Sequence, residues 1–161
     1  MSVKIVVVFL CAAIGTATGY AIMRTYKIKH EYLSELCAVI AELKHDVSYR
    51  CDGVVSVMRK SNIKNKLLCK NIGEYISFAE GKADGPHVSK GYLNDDAYKL
   101  SGDFFSSVGR SDGKSQMEEL KMFGEKCTAL CAVAEEKSKK IGVASVKLGF
   151  LIGLGIGILV L

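Results

Sequence analysis

The chain has 161 residues, six cysteines, one proline, no tryptophan and a formal net charge of +5, which leaves room for about one domain. So few turn formers and aromatics disfavour a sandwich of short strands and point to an all-α fold. The modest charge, without interleaved aromatic residues, speaks against nucleic acid as a partner.

Residues 5–23 contain no charge. At a rise of about 1.5 Å per residue they form a helix of roughly 28 Å, close to the hydrocarbon thickness of a bilayer. The rival is a cleaved signal peptide with Lys4 as its basic region and Ala17-Thr18-Gly19 as the cleavage site. The length of the run, and Arg24, Lys27 and Lys29 directly behind it, favour an uncleaved anchor over residues 1–23.

No glycine or proline falls between Tyr20 and Asp52, so the first helix is expected to run straight on. Leu33, Leu36, Cys37, Ile40, Leu43 and Val47 recur at helical spacing and form an apolar stripe. Asp52-Gly53 breaks the run, and Asp52 is placed to cap a short helix over 54–60. A third helix is expected over about 64–79. Residues 80–91 hold three glycines and the single proline and read as a loop. A fourth helix is expected over 93–108. The turn Gly109 to Gly113 offers Ser111 or Asp112 as a cap for the last helix, in which Met117, Leu120, Phe123, Cys127, Leu130, Cys131, Ala134 and Ile141 are in phase.

That helix leads into a second apolar end. Residues 148–161 are uncharged but short, about 21 Å of helix; starting at 141 gives roughly 31 Å. Lys147 then lies inside the span, near enough to its end to reach the headgroups along its own stem. A core helix of a soluble protein fits poorly with a bare apolar stretch running to Leu161. The expected layout is a membrane helix over 1–23, an antiparallel helical bundle over 24–140 and a membrane helix over 141–161. Twenty-one of the twenty-two Lys and Arg lie between the uncharged runs 5–23 and 148–161. Arg24, Lys27, Lys29, Lys137, Lys139 and Lys140 flank those ends, which places the bundle in the cytoplasm. Gly15 with Gly19, and Gly149 with Gly153 and Gly157, follow the small-xxx-small pattern of packed membrane helices. The two spans are expected to pair as a hairpin or between copies of the chain.

Cys37, Cys51, Cys127 and Cys131 are in phase with apolar neighbours and read as reduced core thiols. His30, His45 and His87 give no cluster at ligand spacing, so no metal or cofactor is expected. No phosphate loop, Ser-His-Asp set or paired-histidine motif occurs, and the chain nominates no catalytic residue. Arg59, Lys60, Lys64, Lys66 and Lys70 lie within twelve residues free of acids. That cluster suits an acidic partner surface or anionic lipid headgroups, or is simply a solvated face.

The order of the local motifs resembles the stage III sporulation protein AB family over nearly the whole chain. Asp46 and Tyr49 fit its acid–aliphatic–x–Tyr segment. Gly109, Ser111, Asp112 and Gln116 are similar to its Leu-Gly-x-Ser-Asp…Gln turn, and Lys147-Leu148-Gly149 with Gly153 resembles its closing membrane segment. The sequence departs from the pattern with Val108 in place of the leucine, and with residues 50–53 in place of a proline-containing turn. The resemblance implies a bundle similar to the cytoplasmic domain of the type II secretion platform protein F. It also implies a structural role in the channel joining mother cell and forespore. There the chain would sit in the outer forespore membrane and dock a cytoplasmic secretion-type ATPase, stage III sporulation protein AA, beside other channel subunits. The competing readings are a secreted or surface-anchored helical binding protein, and a platform subunit of a pilus or type II secretion machine.

Overall fold

The computed structural model describes the backbone of residues 2–49, 53–110 and 113–159, and the side chains of these except 2–5, 48, 49 and 113. Among the described residues all regular structure is helical: α1 (Ser2–Tyr49), α2 (Val54–Lys60), α3 (Lys66–Ala79), α4 (Asp95–Ser107), α5 (Gly113–Lys137), a π turn (Ser138–Gly142) and α6 (Val143–Leu159). The chain divides into two compact units, one of Met1–His30 with Val133–Leu161 and one of Glu31–Ala132.

The first unit is built from the beginning of α1 and the end of the chain. Its outward side chains are apolar: Phe9, Leu10, Ile14, Leu151, Ile152 and Leu159 are all more than half exposed. A soluble core helix hides such residues. Both helical stretches, Val6–Val47 and Lys114–Leu159, are long and apolar enough to cross a membrane. The hydroxyls along them are satisfied within the helix, Thr16 donating to Ala12 O at 2.7 Å and Ser145 to Ile141 O at 2.8 Å, which removes the cost of a bare donor in lipid. The π turn was not foreseeable from the apolar pattern, since Ile141 stays in phase with α5; its own side chain is exposed.

The second unit is a bundle around a largely apolar core. Leu33, Leu36, Ile40 and Leu43 of α1 are buried as the stripe requires, joined by Tyr32 and Val39. From α4, Phe104 packs edge-on to Phe105 and to Phe123 of α5, with ring centroids 5.1 and 5.7 Å apart. Offset and edge-to-face pairs of this kind add to what area burial alone contributes.

Helix ends differ from expectation in instructive ways. α2 falls where the pattern places it, but its N-cap is Gly53, without a side-chain bond; Asp52 lies outside the described residues. α3 starts two residues late because Asn65 caps it, its Oδ1 accepting from Leu67 N and Leu68 N. α4 begins at Asp95 after Asn94. The proposed caps of α5, Ser111 and Asp112, also lie outside the described residues. Of the thiols expected in the core, only Cys127 is buried; Cys37 and Cys131 are half-buried, and Cys51 is not among the described residues. A stripe position at the rim of a helix face stays in phase without leaving solvent.

Candidate functional site

In the first unit the glycines of the two helices meet backbone to backbone. A methyl group on Gly15 would collide with the carbonyl oxygen of Gly149, and one on Gly149 with the carbonyl of Gly15. Gly19 lies against the Ser145 carbonyl and Gly153 against Cys11 and Ala12, and a methyl group on Gly157 would stand 2.9 Å from Val8 Cα. Contacts pairing rising positions of α1 with falling positions of α6 define an antiparallel hairpin. Gly142, from the π turn, continues the seam: a methyl group there would stand 3.0 Å from the Met23 side chain. All five sequence-nominated glycines therefore sit on one line. A methyl group on Gly155, which falls outside the repeat, would meet nothing within 4 Å beyond its own helix backbone. Close approach of this kind is how helices gain packing energy in lipid, where no hydrophobic force draws them together.

The basic cluster lies on the second unit, and all five side chains are exposed. Arg59 is paired with Glu80, which also accepts from Lys82 at 2.6 Å; these cations hold the Glu80 carboxyl below its ordinary range, the Lys82 contact most of all. Lys60 has an interaction of its own. Lys64, Lys66 and Lys70 enter no ion pair among the described residues. Lys66 and Lys70 are one turn apart on α3, so three exposed lysines outside any ion pair stand near its start, where the Glu35 carboxylate also lies.

Of the family-motif positions, Asp46 and Gln116 are buried, and Gln116 Nε2 has no partner among the described residues. Tyr49 ends α1, and its side chain is not described. Gly109 has φ +78°, a conformation that favours glycine. The turn it makes is docked onto α3: Tyr75 Oη donates to Val108 O at 3.0 Å, and the Arg110 guanidinium stands 5.5 Å over the Phe78 ring.

A buried polar knot escaped the sequence reading. Tyr32 Oη of α1 donates to Ser101 Oγ of α4 at 3.0 Å and accepts from Asn71 Nδ2 of α3 at 3.1 Å. Asn71 Oδ1 accepts from Ser89 N at 2.9 Å, tying down the loop. Next to it Glu35 accepts from the backbone N–H groups of Lys64 and Asn65, and Tyr92 Oη donates to Asn65 Oδ1 at 2.7 Å. Burial pushes the Tyr32 hydroxyl above its ordinary value, partly offset by its hydrogen bonds. Each polar member touches an element other than its own, so the knot fixes helix register rather than exposing a reactive group. Single polar residues on apolar faces, as Tyr32 and Asn71 are, carry no sequence signal of a shared partner. No group of three or more His, Cys, Asp or Glu among the described residues could hold a metal ion.

The family model described as stage III sporulation protein AB matches residues 4–161. Neither the curated proteins nor the solved structures gave a significant match.

Proposed function

The chain belongs to the stage III sporulation protein AB family, and on that premise we propose that it is a structural platform of the channel between mother cell and forespore. Membership in the family implies a role in sporulation. In the finer reading the hairpin anchors the chain in the outer forespore membrane, and the helical unit faces the mother-cell cytoplasm. There it docks the secretion-type ATPase stage III sporulation protein AA and other channel subunits. It works by holding parts in place rather than by catalysis.

The observation that carries this reading is the hairpin of unit one, interlocked through its backbone and apolar on its outside. Two spans locked at van der Waals distance transmit position, which a single flexible anchor does not. The exposed lysines near the start of α3 supply a surface for an acidic partner. Likeness to the platform protein of type II secretion enters here as analogy, and analogy of fold does not establish transport.

The test is affinity capture of the intact chain from detergent-solubilised sporulating cells. Recovery of the ATPase with it supports the platform reading, and recovery of other channel subunits without the ATPase removes the docking role. Orientation is tested separately at Cys69, which is exposed on the helical unit. A membrane-impermeant maleimide should label it in lysed but not in intact cells; equal labelling in both places the unit outside.

A further inference from the structure

On one face of the hairpin the two helices leave a groove of about 490 Å³, within the range of clefts that hold small ligands. Gly15 and Gly19 of α1 and Gly149 and Gly153 of α6 form its floor, and they are also residues of the seam. The walls project beyond them: Ile14 is 65% exposed and Ile152 59%. The hydroxyls in the lining are spent inside their own helices, Thr18 donating to Ile14 O at 2.9 Å and Ser145 to Ile141 O. An occupant therefore meets no free hydroxyl and needs no polar group of its own along this length.

Depth and charge point to what that occupant is. The groove runs from Ile22 to Cys11 on α1 and from Ser145 to Ile156 on α6, roughly 17 Å by helical rise. That is about half of a bilayer's hydrocarbon, ~30 Å thick. Its Ile22 end lies beside the basic flank that starts at Arg24, so the groove covers the depth of one leaflet. Tyr26 and Lys29 continue the face of Thr18 and Ile22 at spacings of four and three. Lys29 Nζ stands 5.7 Å from the Tyr26 ring centroid, turned back along α1 toward its apolar end. Tyr26 is roughly 6 Å beyond Ile22, the thickness of a headgroup layer, about 5–7 Å a side. The sequence of unit one has only two acids, Glu135 and Glu136, and Lys139 and Lys140 engage them. The Lys29 charge is thus open to an anion.

We propose that the groove seats one acyl chain of an anionic phospholipid from the leaflet on the basic side, with its phosphate at Lys29. This rests on the hairpin lying in the bilayer. A third helix suits the groove less well. The glycine faces are already closed on each other, and the projecting isoleucines hold another backbone off the floor, where close approach would have to occur. A polymethylene chain carries no side groups and reaches the floor between them.

The experiment uses the full chain in phosphatidylcholine vesicles doped with phosphatidylglycerol that carries a diazirine midway along one acyl chain. After irradiation the adducts are mapped by peptide mass spectrometry. Adducts on Ile14, Thr18 and Ile152 should exceed several-fold those on Phe9, Ala13 and Phe150, which line the opposite face. A phosphatidylcholine probe with the same chain should label the groove less, and Lys29→Gln should bring the phosphatidylglycerol yield down to that level. Thr18→Phe should block labelling of Ile152 with an unchanged thermal midpoint. The unsubstituted chain gives the primary reading, so no variant has to fold for the proposal to fail. Equal labelling of the two faces, or by the two headgroups, in a chain that resists extraction by alkaline carbonate overturns the lipid seat alone. A chain that carbonate strips off, with adducts on neither face, overturns the bilayer placement as well. A disulfide joining two copies through Cys11, which also lines the groove, would put a second chain there and overturns the lipid as occupant.

Discussion

A methyl group on Gly153 of α6 would stand 2.5 Å from the carbonyl oxygen of Cys11 in α1, inside any real carbon–oxygen contact. The neighbour is backbone, so no rotamer can relieve the clash and the two helices must part. Gly153→Leu or Gly15→Val should therefore lower the thermal midpoint of the detergent-solubilised protein, with a cost of about 1–3 kcal/mol for overpacking. Gly155→Ala serves as the control, since nothing lies within 4 Å of that position. Equal melting of Gly153→Leu and Gly155→Ala would show that the seam does not hold the hairpin.

The polar knot makes a second prediction. Tyr32→Phe keeps the ring in the core but strips Asn71 and Ser101 of a shared partner. Ser101 keeps its bond to Ala97 O and Asn71 its bond to Ser89 O, so the loss is that of the hydrogen bonds themselves, about 0.5–1.5 kcal/mol each, and the urea midpoint should fall. Tyr32 also gives the stability a pH dependence. Burial raises its hydroxyl above the ordinary 10.0, so above pH 10 the unfolded chain loses the proton first. Stability is complete below that pH and declines as pH climbs toward the folded value. Tyr75 and Tyr92 are shifted the same way, chiefly by burial. In Tyr32→Phe the alkaline decline should be shallower; an unchanged slope would assign the effect to the other two tyrosines.

The apolar ends, the α1 stripe, the loop after α3 and the bounds of α2 were legible because each rests on periodicity or on breakers acting over a few residues. The seam was legible too, since glycine every fourth residue marks one helix face whatever it meets. What stayed hidden depends on partners distant in sequence. Asn65 as a cap looked like one more residue of the helix expected from 64, and Tyr32 stood outside the stripe that begins at Leu33, because its partner Ser101 lies sixty-nine positions away. The π turn left no sequence signal either, as Ile141 keeps the apolar spacing of α5 across it.

Glycine positions on the helical unit should respond with opposite signs. Gly109 has φ +78°, and an added methyl would approach the Tyr75 hydroxyl at 2.9 Å. Forcing an L-residue into that region costs about 1–2 kcal/mol, and the Tyr75–Val108 hydrogen bond is disturbed as well. Gly73 sits inside α3 with nothing within 4 Å, and alanine there should gain about 0.5–1 kcal/mol. Chemical denaturation of Gly109→Ala and Gly73→Ala measures both, and a Gly109→Ala protein as stable as the parent would mean that the turn tolerates another geometry.

The lysines around the first turn of α3 allow binding to be separated from folding. Lys66 is the first residue of the helix, where the positive end of the helix dipole opposes a cation and favours an anion by about 0.3–1 kcal/mol. Replacing Lys64, Lys66 and Lys70 by glutamate should therefore leave the thermal midpoint unchanged or slightly raised, since all three are exposed and such surface changes ordinarily fall within about 0.5 kcal/mol. Capture of the ATPase should fall sharply with the same triple substitution, and capture by the parent chain should weaken as salt is raised. A folded triple variant that still captures the ATPase as the parent does would exclude this face as the docking surface. An unchanged thermal midpoint of the triple variant is what separates a loss of capture from a loss of structure, the more so because the Glu35 carboxylate already stands against the Lys64 and Asn65 N–H groups.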